Sequence, residues 1–151
     1  MTRVLFVCLG NICRSPMAHG IFAHEVRRRG LQERFAVDSA GTAAYHAGED
    51  PDPRTQAVLR RHGIALRHAS RKVRDDDFER FDLILAMDRA NHRDLLARCP
   101  AAHRPKVRMM LEPLGGGEVG DPYYGGPEGF DVNFRELTEA SRAWLDELVD
   151  G

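Results

Sequence analysis

Val4-Leu5-Phe6-Val7-Cys8-Leu9-Gly10-Asn11-Ile12-Cys13-Arg14-Ser15-Pro16 runs from an apolar segment through a short loop into a helix start. Arg3 to Cys8 is β-branched and aromatic without polar alternation, the pattern of a strand buried on both faces of a parallel sheet. Ser15 reads as an N-cap and Pro16 as the first helical residue. The apolar stripe Met17, Ile21, Phe22 and Val26 then predicts a helix ending near Gly30. Between strand and helix, Cys8 and Arg14 bracket five residues. That spacing suits a loop curled around a tetrahedral anion, with backbone N–H groups pointing inward and a guanidinium closing the far side.

The alternation continues along the chain. Phe35 to Val37 reads as a second strand, and Asp52-Pro53 opens a helix through Val58 and Leu59 to Gly63. Phe81 to Met87 is a third strand, followed by a helix capped by Asp88 that carries Leu95 and Leu96 and ends before Pro100. Val107 to Leu111 offers a fourth strand. A last helix runs from about Phe130 to Val149, with Phe134, Leu137, Ser141, Trp144, Leu145 and Leu148 at helical spacing and Trp144 as a core anchor. The expected fold is α/β with three layers: a four-stranded, twisted parallel sheet with helices on both faces and the phosphate loop after its first strand. Gly115 to Gly120 and Asp121 to Pro127 read as a mobile surface loop.

At 151 residues and 42% hydrophobic composition, the chain is expected to form one globular domain, residues 1–151. A net charge of -1, from 22 basic and 23 acidic residues, gives no electrostatic case for nucleic acid or an anionic membrane. The apolar runs are far shorter than the roughly 20 residues that span a bilayer, and no signal peptide pattern precedes them, so a soluble, cytoplasmic protein is expected. Three cysteines without a partner framework fit a reducing compartment. Of the seven histidines, His19 and His24 are five apart and miss the i, i+4 ligand spacing, so no metal is expected.

The chemistry implied by Cys8 and Arg14 is phosphate-ester cleavage through a cysteine. Loop amides, Arg14 and the positive end of the following helix all favour a thiolate. Cys8 would attack phosphorus in line while Arg14 grips two equatorial oxygens and the amides stabilise the spreading charge. The departing oxygen then needs a proton, and a carboxylic acid that delivers it can afterwards activate water. Asp52 and Asp121 both precede proline. Asp52 is explained by capping the helix after it, whereas no helix explains Asp121, whose Gly-rich loop suits an acid lowered onto the cradle. Tyr45, Tyr123 and Tyr124 are candidate walls for an aromatic leaving group. Cys99 reads as a structural thiol. The runs Arg27-Arg28-Arg29, Arg60-Arg61 and Asp75-Asp76-Asp77 read as solvated faces and caps.

With Val4 to Pro16 at one end and Asp121-Pro122-Tyr123-Tyr124 near the other, the chain resembles the low-molecular-weight protein tyrosine phosphatases over nearly its whole length. The resemblance implies Cys8 as nucleophile, Arg14 as phosphate clamp, Asp121 as general acid and base, and Leu9, Gly10, Asn11, Ile12, Cys13, Arg14 and Ser15 as the phosphate-binding loop. It further implies that Asn11 shapes the loop, that Ser15 hydrogen-bonds the thiolate, and that Ser39 and His68 join a supporting network. Cys13 would be the redox partner of Cys8 in a reversible disulfide. No cofactor is implied. The partners would be a phosphotyrosine-containing protein as substrate and inorganic phosphate as product and competing ligand, with oligomeric state left open. Three other readings remain. A thiol-dependent arsenate reductase of the same fold needs two further downstream cysteines that this sequence lacks. In a protein-arginine phosphatase the position of Ile12 looks like threonine, and an apolar wall suits a phenyl ring better. A non-catalytic phosphate-binding module would not need every reacting group.

Overall fold

Among the described residues, nine regular elements arise where apolar periodicity changes between strand and helix. The computed structural model describes residues 1–150 and places β1 at Thr2–Cys8, α1 at Arg14–Arg28, β2 at Phe35–Gly41, α2 at Pro53–Arg61 and α3 at Asp77–Arg80. There follow β3 at Leu83–Ala86, α4 at Arg89–Arg98, β4 at Val107–Met109 and α5 at Glu128–Asp150, with short 3-10 turns at Ala101–Lys106 and Glu112–Leu114. The four strands form one parallel sheet in the order β2-β1-β3-β4. β1 therefore lies between β2 and β3, and its carboxyl end opens at the point where the strand order reverses. In open parallel sheets that crevice is where ligands bind.

Alternate β1 residues bury into two layers. Val4 and Phe6 join Leu83 and Leu85 under α1 and α5, in a core with Met17, Ile21, Phe22, Leu137 and Trp144. Leu5 and Val7 join Ile84 and Ala86 on the other face, against Phe78, Phe81, Leu95 and Cys99. Trp144 is 1% exposed, and its indole N–H donates to the Met110 carbonyl at 2.8 Å, so the anchor is also hydrogen-bonded. No helix among the described residues is long and apolar enough to cross a membrane.

Several boundaries differ from expectation. β2 runs on to Gly41 because Asp38, Ser39 and Ala40 pair with Leu5, Phe6 and Val7; polar residues at a strand end hid this. β3 and β4 are shorter than their apolar runs; Met87 and Met110, just beyond them, are fully buried while their amides donate to the Val7 and Ala86 carbonyls. Ser15 is not the N-cap of α1. The helix already includes Arg14, its flanking residue is Cys13, and no side chain caps it. The Ser15 hydroxyl faces Cys8 instead, leaving the first-turn N–H groups of α1 uncapped by a side chain. Asp52 and Asp88 cap α2 and α4 as expected, accepting from the N–H groups of Arg54 and Asn91 at 2.8 Å. The Asp75-Asp76-Asp77 run is not a uniform solvated face: Asp77 is fully buried, accepts from the Arg74 amide and pairs with Arg71.

Glu25 fastens the two long helices together. Its buried carboxylate receives Arg28 on its own helix at 3.1 Å and Arg142 of α5 at 3.0 Å. Burial alone would raise its pKa, but the hydrogen bonds from Arg142 and Arg28 outweigh that and lower it. A carboxylate lowered in the folded state stabilises above its unfolded pKa, and that stability disappears as pH falls through the folded value. Glu25→Gln should therefore lower stability by about 1 kcal/mol above roughly pH 5. Thermal melts at successive pH values should show the gap to wild type closing only as pH falls below the ordinary glutamate range.

Candidate active site

The loop after β1 is shaped by where its carbonyls go. Cys8 O accepts from Thr42, Leu9 O from Ala43, Gly10 O from the Ser70 hydroxyl, Ile12 O from Asp52, and Cys13 O from Met17. With these oxygens turned outward, the loop amides are left to face the enclosed space, an anion-binding concavity. Asn11 makes the turn possible by adopting φ 57°, the left-handed region that asparagine tolerates better than most residues. Its amide N–H lies 3.3 Å from Cys8 Sγ.

Beneath the loop, the polar network has a determined direction. The Arg71 backbone N–H donates to Asn11 Oδ1 at 3.1 Å, which fixes the amide orientation. Asn11 Nδ2 then donates to Ser15 Oγ at 2.8 Å and to Ser39 Oγ at 3.1 Å. The Ser15 hydroxyl is left to donate toward Cys8 Sγ at 3.1 Å, against 3.4 Å to the Ala40 carbonyl. His68 Nε2 sits 2.8 Å from the same Asn11 oxygen, so that nitrogen carries the proton. Ser39 is fully buried and the His68 side chain is 7% exposed. His19, absent from the expected set, joins through Nδ1 at 3.1 Å from Ser39 Oγ. Burial, helped by the neighbouring His68, pulls the His19 pKa down to about 4. Burial, aided by Arg71 and opposed by Asp38, also lowers that of His68.

Arg14 enters the cradle from the first turn of α1 and is 3% exposed. Nη1 donates to Asp88 Oδ2 at 2.7 Å and to the Val119 carbonyl at 3.1 Å, while Nη2 is 3.7 Å from Asp121 Oδ2. Burial works against its charge, but the facing Cys8, Asp88 and Asp121 more than compensate and raise its pKa. Asp88 thus serves two partners at once, capping α4 with one oxygen and holding Arg14 with the other.

Asp121 is presented by a loop tied down on both sides. Val119 N–H donates to the Met87 carbonyl and Asn133 Nδ2 to the Gly120 carbonyl, while Tyr123 N–H donates to Asp121 Oδ1 at 3.1 Å. Arg54 stacks over Tyr123 and Phe130 and donates to the Tyr123 carbonyl, linking α2 to this loop. Its other contact is Asp52, whose pKa its hydrogen bonds lower against the opposing effect of burial. Asp52 is therefore accounted for by Arg54 and the cap of α2.

Cys8, Arg14 and Asp121 line one cleft with Leu9, Gly10, Ile12 and Cys13, and its rim is Tyr45, His46, Tyr123 and Tyr124. Tyr45 is 75% exposed and Tyr124 92%, against 8% for Ile12. His46 carries no signal in the sequence that separates it from the other histidines. Cys13 is buried, and burial with Asp52 beside it pushes its thiol up to about 12. All three cysteines are free, and Cys99 packs under the opposite face of the sheet. A thiol at the floor of an anion cradle, a buried guanidinium and a carboxylate across from it are together equipped for phosphoryl transfer.

Residues 3–150 match the family described as low molecular weight phosphotyrosine protein phosphatase. The chain belongs to that family. A relative of that name from Schizosaccharomyces pombe is 46% identical, over 97% of each chain. A protein tyrosine phosphatase from Entamoeba histolytica, solved with Hepes in its active site, superposes with a TM-score of 0.97 at 39% identity, covering 100% of this chain and 99% of that one. A Drosophila arginine phosphatase superposes with a TM-score of 0.91 at 35% identity over 98% of each chain. The parallel sheet flanked by helices is thus the family's fold, and its structural neighbours include tyrosine and arginine phosphatases.

Proposed function

We propose that the chain is a cytoplasmic protein tyrosine phosphatase, working as one catalytic domain on phosphotyrosine-containing proteins and small aryl phosphates. The observation that carries this reading is the convergence of Cys8, Arg14 and Asp121 on one cleft rimmed by tyrosines. Cys8 Sγ attacks phosphorus as the P–O bond to the leaving group breaks, and protonated Asp121 delivers its proton to the departing oxygen. Arg14 and the loop amides stabilise the charge on the equatorial oxygens. Water then attacks the phosphocysteine, Asp121 takes its proton, and the S–P bond breaks to release inorganic phosphate. Asn11, Ser15, Ser39 and His68 hold the loop in its anion-binding shape. Cys13, which lines the same cleft, pairs with oxidised Cys8 and protects it from further oxidation.

Ile12 and the tyrosines supply apolar walls for a phenyl ring, which favours phosphotyrosine over phosphoarginine. Cys99, on the far side of the sheet, offers no relay for arsenate reduction. Competition between phosphotyrosine and phosphoarginine peptides tests the choice: faster turnover of phosphotyrosine is expected, and faster turnover of phosphoarginine would overturn it. Asp88 is a positioning residue in this scheme. Asp88→Ser keeps a helix cap but is too short to hold Arg14. It should melt near the wild-type temperature while kcat/KM for para-nitrophenyl phosphate falls about tenfold or more; equal loss in both would assign Asp88 to stability alone.

A further inference from the structure

The structure gathers His19 from α1, Asp38 from β2 and His68 from the loop after α2, with one donor atom of each within 4.8 Å of the others. Expectation had excluded a metal from the spacing of histidines along one helix, whereas this set comes from three separate segments. The orientation of His68 is already determined, because Nε2–H is committed to Asn11 Oδ1. Its Nδ1 lone pair therefore points toward Asp38 Oδ1, 3.7 Å away. A lone pair and a carboxylate oxygen facing each other repel unless a cation lies between them. A proton would satisfy that pair alone. His19, held through Nδ1 against Ser39 Oγ, adds a second imidazole within reach of the same point, which makes a metal-ligand set of the three.

We propose that His19, Asp38 and His68 form a binding site for a divalent transition-metal ion of the zinc type, with solvent as fourth ligand. Two imidazoles and one carboxylate are a donor set that zinc accepts in tetrahedral geometry, where neighbouring donors lie about 3.4 Å apart. The Asp38 side chain is 36% exposed against 7% for His68, which gives the ion an entry path from the Asp38 side, and rotamer adjustment closes the remaining gap. Arg71 pairs with Asp38 Oδ2 at 3.0 Å and with Asp77, and its charge works against a bound cation. The Ser39 amide donates to Asp38 Oδ1, orienting the carboxylate. Coordination through His68 Nδ1 preserves the Nε2–H that Asn11 needs, so the ion would stiffen the network under the phosphate loop without withdrawing from it.

The test is Zn²⁺ titration by calorimetry into full-length Cys8→Ser/Cys13→Ser protein, which removes the competing thiols of the cleft and any dependence on turnover. One equivalent is expected to bind. His19→Gln should weaken binding at least tenfold, and His24→Gln, on the same helix, should leave it unchanged. Co²⁺ in the same protein should give tetrahedral visible absorption that His19→Gln abolishes. Binding that is absent up to millimolar Zn²⁺, or equal in His19→Gln and parent, overturns the proposal while leaving the phosphatase reading untouched.

Discussion

Cys8→Ser protein is expected to lose at least about 10⁴-fold in para-nitrophenyl phosphate hydrolysis while still binding phosphate. The two halves of this expectation have separate origins. Turnover needs a nucleophile that attacks phosphorus and then leaves, and a serine hydroxyl at the same place is a far poorer one at neutral pH. Binding rests on loop amides whose carbonyls are anchored elsewhere and on Arg14, held by Asp88 and Val119. None of those contacts requires sulfur. Stopped assays across pH, set beside calorimetry with inorganic phosphate, read both halves. Retained turnover would remove Cys8 from the reaction, whereas lost phosphate binding would mean that the thiol is needed to shape the loop.

Asp121→Asn should lower kcat by roughly 10² to 10⁴, with a dependence on the leaving group. Asparagine fills the same space and can still accept from the Tyr123 amide, so the loop is expected to keep its place. What disappears is the proton for the departing oxygen and the base for the second step. Phenyl phosphate, whose leaving group is a strong base, should suffer more than para-nitrophenyl phosphate, whose leaving group departs with little help. Equal losses on both substrates would shift the role of Asp121 to the hydrolysis of the phosphocysteine. The carboxylate is also part of the charge facing Arg14 at 3.7 Å, so some tightening of oxyanion binding should accompany the substitution.

The fold was legible because apolar runs and caps are local signals. Val4 to Val7, the stripe of α1 and the caps Asp52 and Asp88 can each be read within a dozen residues. The loop from Cys8 to Ser15 was legible for the same reason: nucleophile and guanidinium are six residues apart in the chain. What was not legible are side chains with two jobs. Asp88 explains itself as a cap, and nothing in its neighbourhood announces Arg14, 74 residues away. Asp77 sits in a run of like charges that looks uniformly solvated, yet pairing with Arg71 draws only that one fully inside. Ser15 fits the position of a cap and is turned inward by Asn11. His19, one histidine among seven, gains its partners only when β2 and the segment around His68 fold beside α1.

The floor and rim of the cleft have opposite relations to the core. Asn11, Arg14 and Ser15 are buried and mutually bonded, whereas Tyr45 and Tyr124 stand largely in solvent. Substitutions in the floor propagate into the sheet, but those in the rim disturb little that holds the protein together. Side-chain changes at Tyr45 and Tyr124 can therefore shift substrate preference without first acquiring a stabilising background.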